Sequence, residues 1–217
     1  MSAPRRPRIA VLDYGMGNLR SAEKALEHVG AQAERTRDHA RIRSADGLVL
    51  PGDGAFPTAI VRIRALELDL LLAERLAAGT PVLGICVGMQ VLFEGSTELG
   101  GAEGLGLLRG TVERLDAPGL KLPHIGWSAV SWTRSSALAE GLPDPCPFYH
   151  VHSYAPTGVD EGDVVGRAEH GQPFVSVVER EGLWGVQFHP EKSAGDGLAL
   201  LRNFAGICAA RALPAPA

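Results

Sequence analysis

Three cysteines, few aromatic side chains and no long apolar run set the first limits on this chain. Cys86, Cys146 and Cys208 are too scattered for a disulfide framework, and no Cys-x-x-Cys offers a zinc-binding pair. Aromatic residues make up 6% of the sequence and no basic stripe alternates with them, which speaks against a nucleic-acid surface. Arg35, Arg37, Arg41 and Arg43 do cluster, but 21 basic against 25 acidic side chains leave a net charge of −4, and the run reads as a solvated face. No stretch approaches the ~20 apolar residues of a membrane span. Arg5, Arg6 and Arg8 lead into an apolar run that Asp13 interrupts, which is not the pattern of a signal peptide. There is no internal repeat and no linker. The expectation is a cytoplasmic protein that binds neither nucleic acid nor membrane.

What remains is ordinary for a globular chain: 217 residues, 45% hydrophobic and 21% charged. A domain of that length buries about 70% of the surface its unfolded chain exposes. We read one domain over residues 8–210, with a flexible N-terminus at 1–7 and a frayed tail at 211–217. Ile9–Leu12, Gly47–Leu50 and Pro81–Ile85 are short, continuous apolar runs, as strands covered on both faces require. Between them Leu19, Ala22, Leu26 and Val29 recur at helical spacing, and Ile60 to Ala77 fits one helix or two short ones. Ala31–Thr36 reads as a weaker strand. Beyond Gly104 the texture changes to short runs, Leu105–Leu108, Val112–Leu115, Ser128–Trp132 and Phe174–Val178, set apart by turn residues. Leu198–Ala209 is a closing helix. The expected fold is α/β: a mixed, mostly parallel open sheet with helices on both faces and antiparallel strand additions.

Chemistry concentrates in a few fragments. Cys86 lies in Gly84-Ile85-Cys86-Val87-Gly88-Met89-Gln90, where an apolar strand meets a glycine-flanked turn and then a helix expected to run through Met89–Phe93. Such a corner lifts a side chain above the sheet and turns free N–H groups toward it, the setting of a nucleophile. The alternative is a small buried hydrophobe at a strand end. Cys146 and Cys208 read as packing residues. His189 and Glu191 flank Pro190 after the apolar run Trp184–Phe188, and residues two apart on extended chain point to one side. Histidine beside a thiolate exchanges protons with a leaving amine while a carboxylate fixes its tautomer. A capped turn with a satisfied histidine is the plainer alternative. Pro51-Gly52-Asp53-Gly54 is either a tight turn or, through its main-chain N–H groups and that of Val87, an oxyanion site. Asp13–Asn18 and Gly100–Gly106 are glycine-rich but lack the lysine or acidic partner of nucleotide loops, so no cofactor is expected. His150 and His152 alternate on a strand without a third metal ligand nearby, so no metal is expected either.

With these residues in place the chain resembles the class I, or triad, glutamine amidotransferases, and within them the glutaminase subunits of imidazole glycerol phosphate synthases. Gly84–Gln90 and Gly185–Glu191 carry the wider resemblance. Asp13–Leu19, Pro123-His124-Ile125-Gly126-Trp127 and Val151-His152-Ser153-Tyr154 carry the narrower one. The resemblance implies that Cys86 attacks the side-chain amide of L-glutamine to give a thioester, with His189 as acid and base and Glu191 orienting it. It implies an oxyanion site at Gly52, Asp53 and Val87. It places the ends of the glutamine on Gln90 and on the backbone of Val151, His152, Ser153 and Tyr154. The implied partner is a (β/α)8-barrel cyclase that receives the ammonia in a heterodimer and stimulates hydrolysis, with Pro51–Gly54 reorienting. Three positions depart from the subfamily's pattern: Asp53 for an apolar residue, Ser128 for asparagine and His150 for an aromatic.

Overall fold

The computed structural model describes residues 6–211. Residues 1–5 of the expected flexible N-terminus and 212–217 of the expected frayed tail lie outside the described residues.

In chain order the first half comprises β1 (Arg8–Leu12), α1 (Leu19–His28), β2 (Gln32–Thr36), α2 (His39–Ser44) and β3 (Gly47–Gly52). It continues through α3 (Phe56–Ala65), α4 (Leu68–Ala77), β4 (Val82–Cys86) and α5 (Val87–Gln90). The second half is mostly strand: β5 (Gly95–Ser96), β6 (Ala102–Glu103), β7 (Thr111–Arg114), β8 (His124–Trp132) and β9 (Cys146–His152). After these come β10 (Tyr154–Thr157), β11 (Val164–His170), β12 (Gln172–Arg180), β13 (Leu183–Val186) and the closing helix α6 (Ala194–Arg211).

Nine strands form the main sheet in the order β2-β1-β3-β4-β13-β12-β11-β8-β9. The first five run parallel and the remaining pairings are antiparallel. Parallel neighbours need both faces covered. Here α1 packs against α6, while α4 packs against both α2 and α3. Every residue of β3 and β4 is buried, as their unbroken apolar runs require. A small sheet, β10-β7-β5-β6, lies beside the main one.

The stretch from Ile60 to Ala77 resolves into two helices, because Glu67 between them has φ +53°. Two expectations are corrected. Leu105–Leu108 is a loop, whose N–H groups at 105, 107 and 108 bond the carbonyls of Val91 and Leu92 instead of a neighbouring strand. The helix after Cys86 stops at Gln90, a single turn, because the chain must bend at once to reach β5.

The corner that carries Cys86 depends on two close backbone approaches. A Cβ on Gly88 would sit 1.7 Å from the carbonyl oxygen of Leu50 in β3, and one on Gly84 would sit 2.6 Å from the carbonyl oxygen of Gly88. Neither contact can be relieved by rotating a side chain. At the other side of the sheet, Phe148 of β9 stacks on Phe188 with ring centroids 3.9 Å apart, drawing the antiparallel edge back toward β13.

Gly88→Ala is therefore expected to destabilise the chain by about 3 kcal/mol or more, through forced backbone movement. Gly206 sits exposed on α6 with nothing within 4 Å of its would-be Cβ. Gly206→Ala is expected to stabilise by up to ~1 kcal/mol. Urea-unfolding midpoints of the two variants should move in opposite directions, and equal shifts would contradict the packing argument.

Candidate active site

Cys86 ends β4 and His189 follows β13, its parallel neighbour, so both leave the carboxyl edge of adjacent strands. Cys86 has φ +55° and ψ −114°, a conformation that a non-glycine residue adopts only where the surroundings enforce it. The turn thus has the geometry of a nucleophile elbow. With a single turn behind it, little of the aligned helix dipole expected from the sequence acts on the sulfur.

His189 is held from behind. Its N–H donates to the carbonyl of Tyr149 at 2.9 Å, and its carbonyl accepts from the buried hydroxyl of Ser193 at 2.7 Å. Its Nδ1 lies 2.9 Å from Glu191 Oε1, which leaves Nε2 unused by the carboxylate, in a cavity that Cys86 also lines. Burial alone would favour the neutral ring. Hydrogen bonds to Cys86 and Glu191, together with their charges, outweigh it and raise the imidazole from 6.5 to about 10. The Glu191 side chain is only 4% exposed, and its Oε2 has no partner among the described residues. The carboxylate and the imidazolium therefore depend on each other.

A cavity of about 280 Å³ opens at this point. It brings together Cys86, Val87, His189 and Asp53 with Gln90 and the segment Val151, His152, Ser153 and Tyr154. Gly52 lies beneath it, paired in register with Cys86, and Glu191 stands behind His189. Gly54, from the turn read as a possible oxyanion site, and Pro123, from the motif of the narrower resemblance, also line it, and two lining residues escaped the sequence reading: Glu98 and Lys192. Glu98 and Lys192 set one charge of each sign at the cavity, and only the adjacency of Lys192 to Glu191 could have signalled either.

The Pro51–Gly54 segment is tied on its far side. Tyr14 donates its hydroxyl to the Pro51 carbonyl at 2.7 Å, and Gly17 donates its N–H to Asp53 Oδ1 at 2.8 Å. Burial first, then the charges of Asp53 and Cys86, push the Tyr14 phenol well above its usual range, so it stays a donor. Asp53, the departure from an apolar residue, is thus the acceptor that joins the two loops.

Gln90 is more committed than expected. Its Nε2 donates to the Tyr154 carbonyl and to Gln187 Oε1, each at 3.0 Å, leaving only its own Oε1 for a ligand. Gln187, overlooked as a site residue, places its Nε2 3.7 Å from Cys86 Sγ. Its spacing two before His189 was the available signal, because alternation puts both on one side. Cys146 and Cys208 are fully buried, and burial pushes both thiols up, Cys146 to about 12.

Behind the cavity wall His124, His150 and His152 pack together, with His170 stacked on His124 at 4.1 Å. Carbonyls fix the tautomers. His152 Nδ1 donates to Tyr154 O at 2.9 Å, so its Nε2 accepts from His124 Nδ1, and His124 Nε2 accepts from Ser128 Oγ. His150 likewise donates to Phe148 O and accepts from Ser176. These bonds satisfy neutral rings, and burial, reinforced by neighbouring imidazoles, lowers His124 to about 4, His152 to about 3 and His150 well below 6.5.

The sequence matches the family model of glutamine amidotransferase class-I over residues 10–207. This chain belongs to the class-I glutamine amidotransferases. A relative from Leifsonia xyli is 50% identical over 206 residues, covering 91% of this chain and 97% of its own. One from Salinibacter ruber is 48% identical over 203 residues, covering 91% and 93%. Both bear the name imidazole glycerol phosphate synthase subunit HisH. The fold is shared with a solved structure of a glutamine amidotransferase (TM-score 0.71, 22% identity, 92% and 98% coverage). It is also shared with the structure of PurLQS from Thermotoga maritima (TM-score 0.73, 20% identity, 94% and 99% coverage).

The buried histidines make a pH prediction. Each takes up a proton near pH 6.5 when unfolded; in the folded chain His124 stays neutral until about pH 4 and His152 until about pH 3, and burial lowers His150 in the same direction. Stability is therefore full above about 6.5 and falls as the pH drops toward 4. His189 has the opposite sign: its contribution is complete below 6.5 and is lost as pH rises through about 10. Urea midpoints should fall from pH 7 to pH 5, and His150→Phe should shrink that fall by about one proton's linkage. An unchanged pH slope in the variant would contradict the assignment.

Proposed function

We propose that this protein is the glutaminase subunit of an imidazole glycerol phosphate synthase, supplying ammonia to a cyclase in histidine biosynthesis. The observation that carries the reading is a strained cysteine that shares a cavity with a histidine whose Nδ1 meets a buried glutamate at 2.9 Å. Membership of the amidotransferase family and the shared name of relatives at 44–50% identity support it.

In this mechanism Cys86 attacks the side-chain carbonyl carbon of glutamine as the thiolate. The oxyanion is met by main-chain N–H groups of Val87 and of the Gly52–Asp53 segment. His189 gives its proton to the departing amine, ammonia leaves, and a γ-glutamyl thioester remains. His189 then takes a proton from water, which attacks the thioester and releases glutamate. Glu191 keeps the ring oriented throughout. Gln90 Oε1 and Glu98 suit the ammonium end of the substrate, and Lys192 suits its carboxylate. No metal or cofactor enters the scheme.

The partner is proposed to be a (β/α)8-barrel cyclase forming a heterodimer with this chain, which we take to be a single cytoplasmic domain over residues 8–210. Among the described residues no helix is long and apolar enough to cross a membrane. Leu99, Leu120, Ile125 and Trp127 are at least half exposed, and their neighbours Glu98 and Pro123 line the cavity. Exposed apolar side chains near the cavity mouth suit a docked subunit that receives ammonia without loss to solvent.

Cys86→Ala, assayed with the cyclase, is expected to abolish product formation from glutamine while added ammonium salts still support it. Glutamine-dependent turnover surviving in that variant would exclude the thioester route. Trp127→Glu is expected to weaken binding of the cyclase by roughly tenfold or more, as loss of an interface aromatic does. Unaltered affinity in a titration calorimeter would place the docking surface elsewhere.

A further inference from the structure

Gln187 lies between Val186, the end of β13, and Phe188, and none of it is exposed. A buried side-chain amide must find partners for both its oxygen and its nitrogen, so its orientation is informative. The neighbours determine that orientation. The Tyr154 carbonyl only accepts, so the Gln90 atom 3.0 Å from it is the amide nitrogen. The same nitrogen lies 3.0 Å from Gln187, whose facing atom is therefore the carbonyl Oε1. Gln187 Nε2 is left pointing at Cys86 Sγ, 3.7 Å away, within the range of an N–H···S bond.

Among the described residues, two other groups bear on the sulfur. The Val151 carbonyl, also at 3.7 Å, accepts only and so serves the thiol form. His189 donates only while it is protonated. Of these three groups, only the Gln187 amide donates whatever the protonation of the pair.

We propose that Gln187 is a further catalytic residue, whose side-chain N–H stabilises the Cys86 sulfur as thiolate before attack and again when the thioester breaks. The proposal rests on the thioester mechanism given above. In the first step the sulfur's electron pair forms the S–C bond, the C–N bond breaks, and the imidazolium proton leaves with ammonia. In the second, water adds to the carbonyl carbon as His189 takes its proton, the C–S bond breaks, and the electron pair returns to the sulfur. The amide N–H faces that returning charge. A donor aimed at a leaving thiolate accelerates its departure, and hydrogen bonds to charged acceptors are the stronger kind.

The test uses two variants of the full chain. Q187M keeps the length and removes the donor; Q187E keeps the shape and the acceptor for Gln90 but turns an oxygen toward the sulfur. Each is alkylated with iodoacetamide between pH 6 and pH 10.5, and modification is read at the Cys86 peptide by mass. At pH 7 the rate is expected to fall about tenfold in Q187M, the loss of one charge-assisted bond, and further in Q187E. At the top of the range both should approach the wild-type rate. With the cyclase present, kcat for glutamine should fall while KM changes little. A wild-type alkylation profile in the variants overturns the proposal, and so does an equal fall at every pH, which marks a packing role. Should Q187M fail to fold, the isosteric Q187E carries the same comparison. Alkylation needs neither glutamine nor partner, so a wild-type chain inert toward glutamine would defeat the glutaminase reading and leave this result standing.

Discussion

The approach of Gly88 to Leu50 is the constraint on which the site rests. With the two main chains that close, the chain leaving β4 has one way to turn, and it carries Cys86 into the positive-φ region. Backbone strain of this kind costs on the order of 1–3 kcal/mol. The fully buried strands on either side offset it, since each large apolar side chain removed from water contributes about 1.5–3 kcal/mol. Rigidity there suits the proposed mechanism, in which a sulfur that wandered by an ångström would lose alignment with its proposed base and oxyanion donors. The core thus does more than stabilise: it holds an unfavourable torsion in place at the carboxyl edge of the sheet.

Across from the sulfur, a buried carboxylate and imidazole sit where charge is expensive. Removing one partner of such a pair typically costs about 3–5 kcal/mol, because the other is left uncompensated. Glu191 shows the dependence plainly, with one oxygen on His189 and the other on nothing among the described residues. The pair is kept from relaxing by its scaffold. Ser193 links the His189 carbonyl to the Tyr149 N–H, and the stacked rings of Phe148 and Phe188 lock the same two segments. The histidines behind Tyr154 follow opposite logic: satisfied as neutral donors and acceptors, they form a polar wall without adding charge beside the reacting groups.

The parallel half of the sheet was legible because each of its central strands is a continuous apolar run that no solvent-facing element would carry. The antiparallel half was less so. β11 carries Arg167, Glu169 and His170, and its alternation is broken by register shifts near Gly166, so it lacks a strand-like pattern. Leu105–Leu108 has the composition of a strand, yet its N–H groups are taken by the turn after α5, a tertiary fact that no local pattern reveals. At the site, Cys86, His189 and Glu191 stood out because each sits at a corner marked by glycine or proline. The amidotransferase family was legible from those same corners. Gln187 did not stand out, since its meaning lies in an approach to Gln90 and Cys86 about a hundred residues earlier.

The same tethers that order the site also set the scale of any control by a partner. If docking of the cyclase reorients Pro51–Gly54, as the resemblance to the glutaminase subunits implies, two hydrogen bonds must be given up: Tyr14 to Pro51 and Gly17 to Asp53. A neutral bond contributes about 0.5–1.5 kcal/mol net and one to a carboxylate about 1.5–3, so the two together hold the segment by roughly 2–4 kcal/mol. That is enough to keep a rearranged segment in the minority, at about one part in thirty to one in a thousand. It is also about a quarter to a half of the binding free energy of a micromolar complex, about 8 kcal/mol. A partner that favours the rearranged segment by the same roughly 2–4 kcal/mol brings the two arrangements to equal population, and a full reversal takes about twice that. Asp53 supplies the stronger of the two tethers, one that an apolar residue at that position would lack.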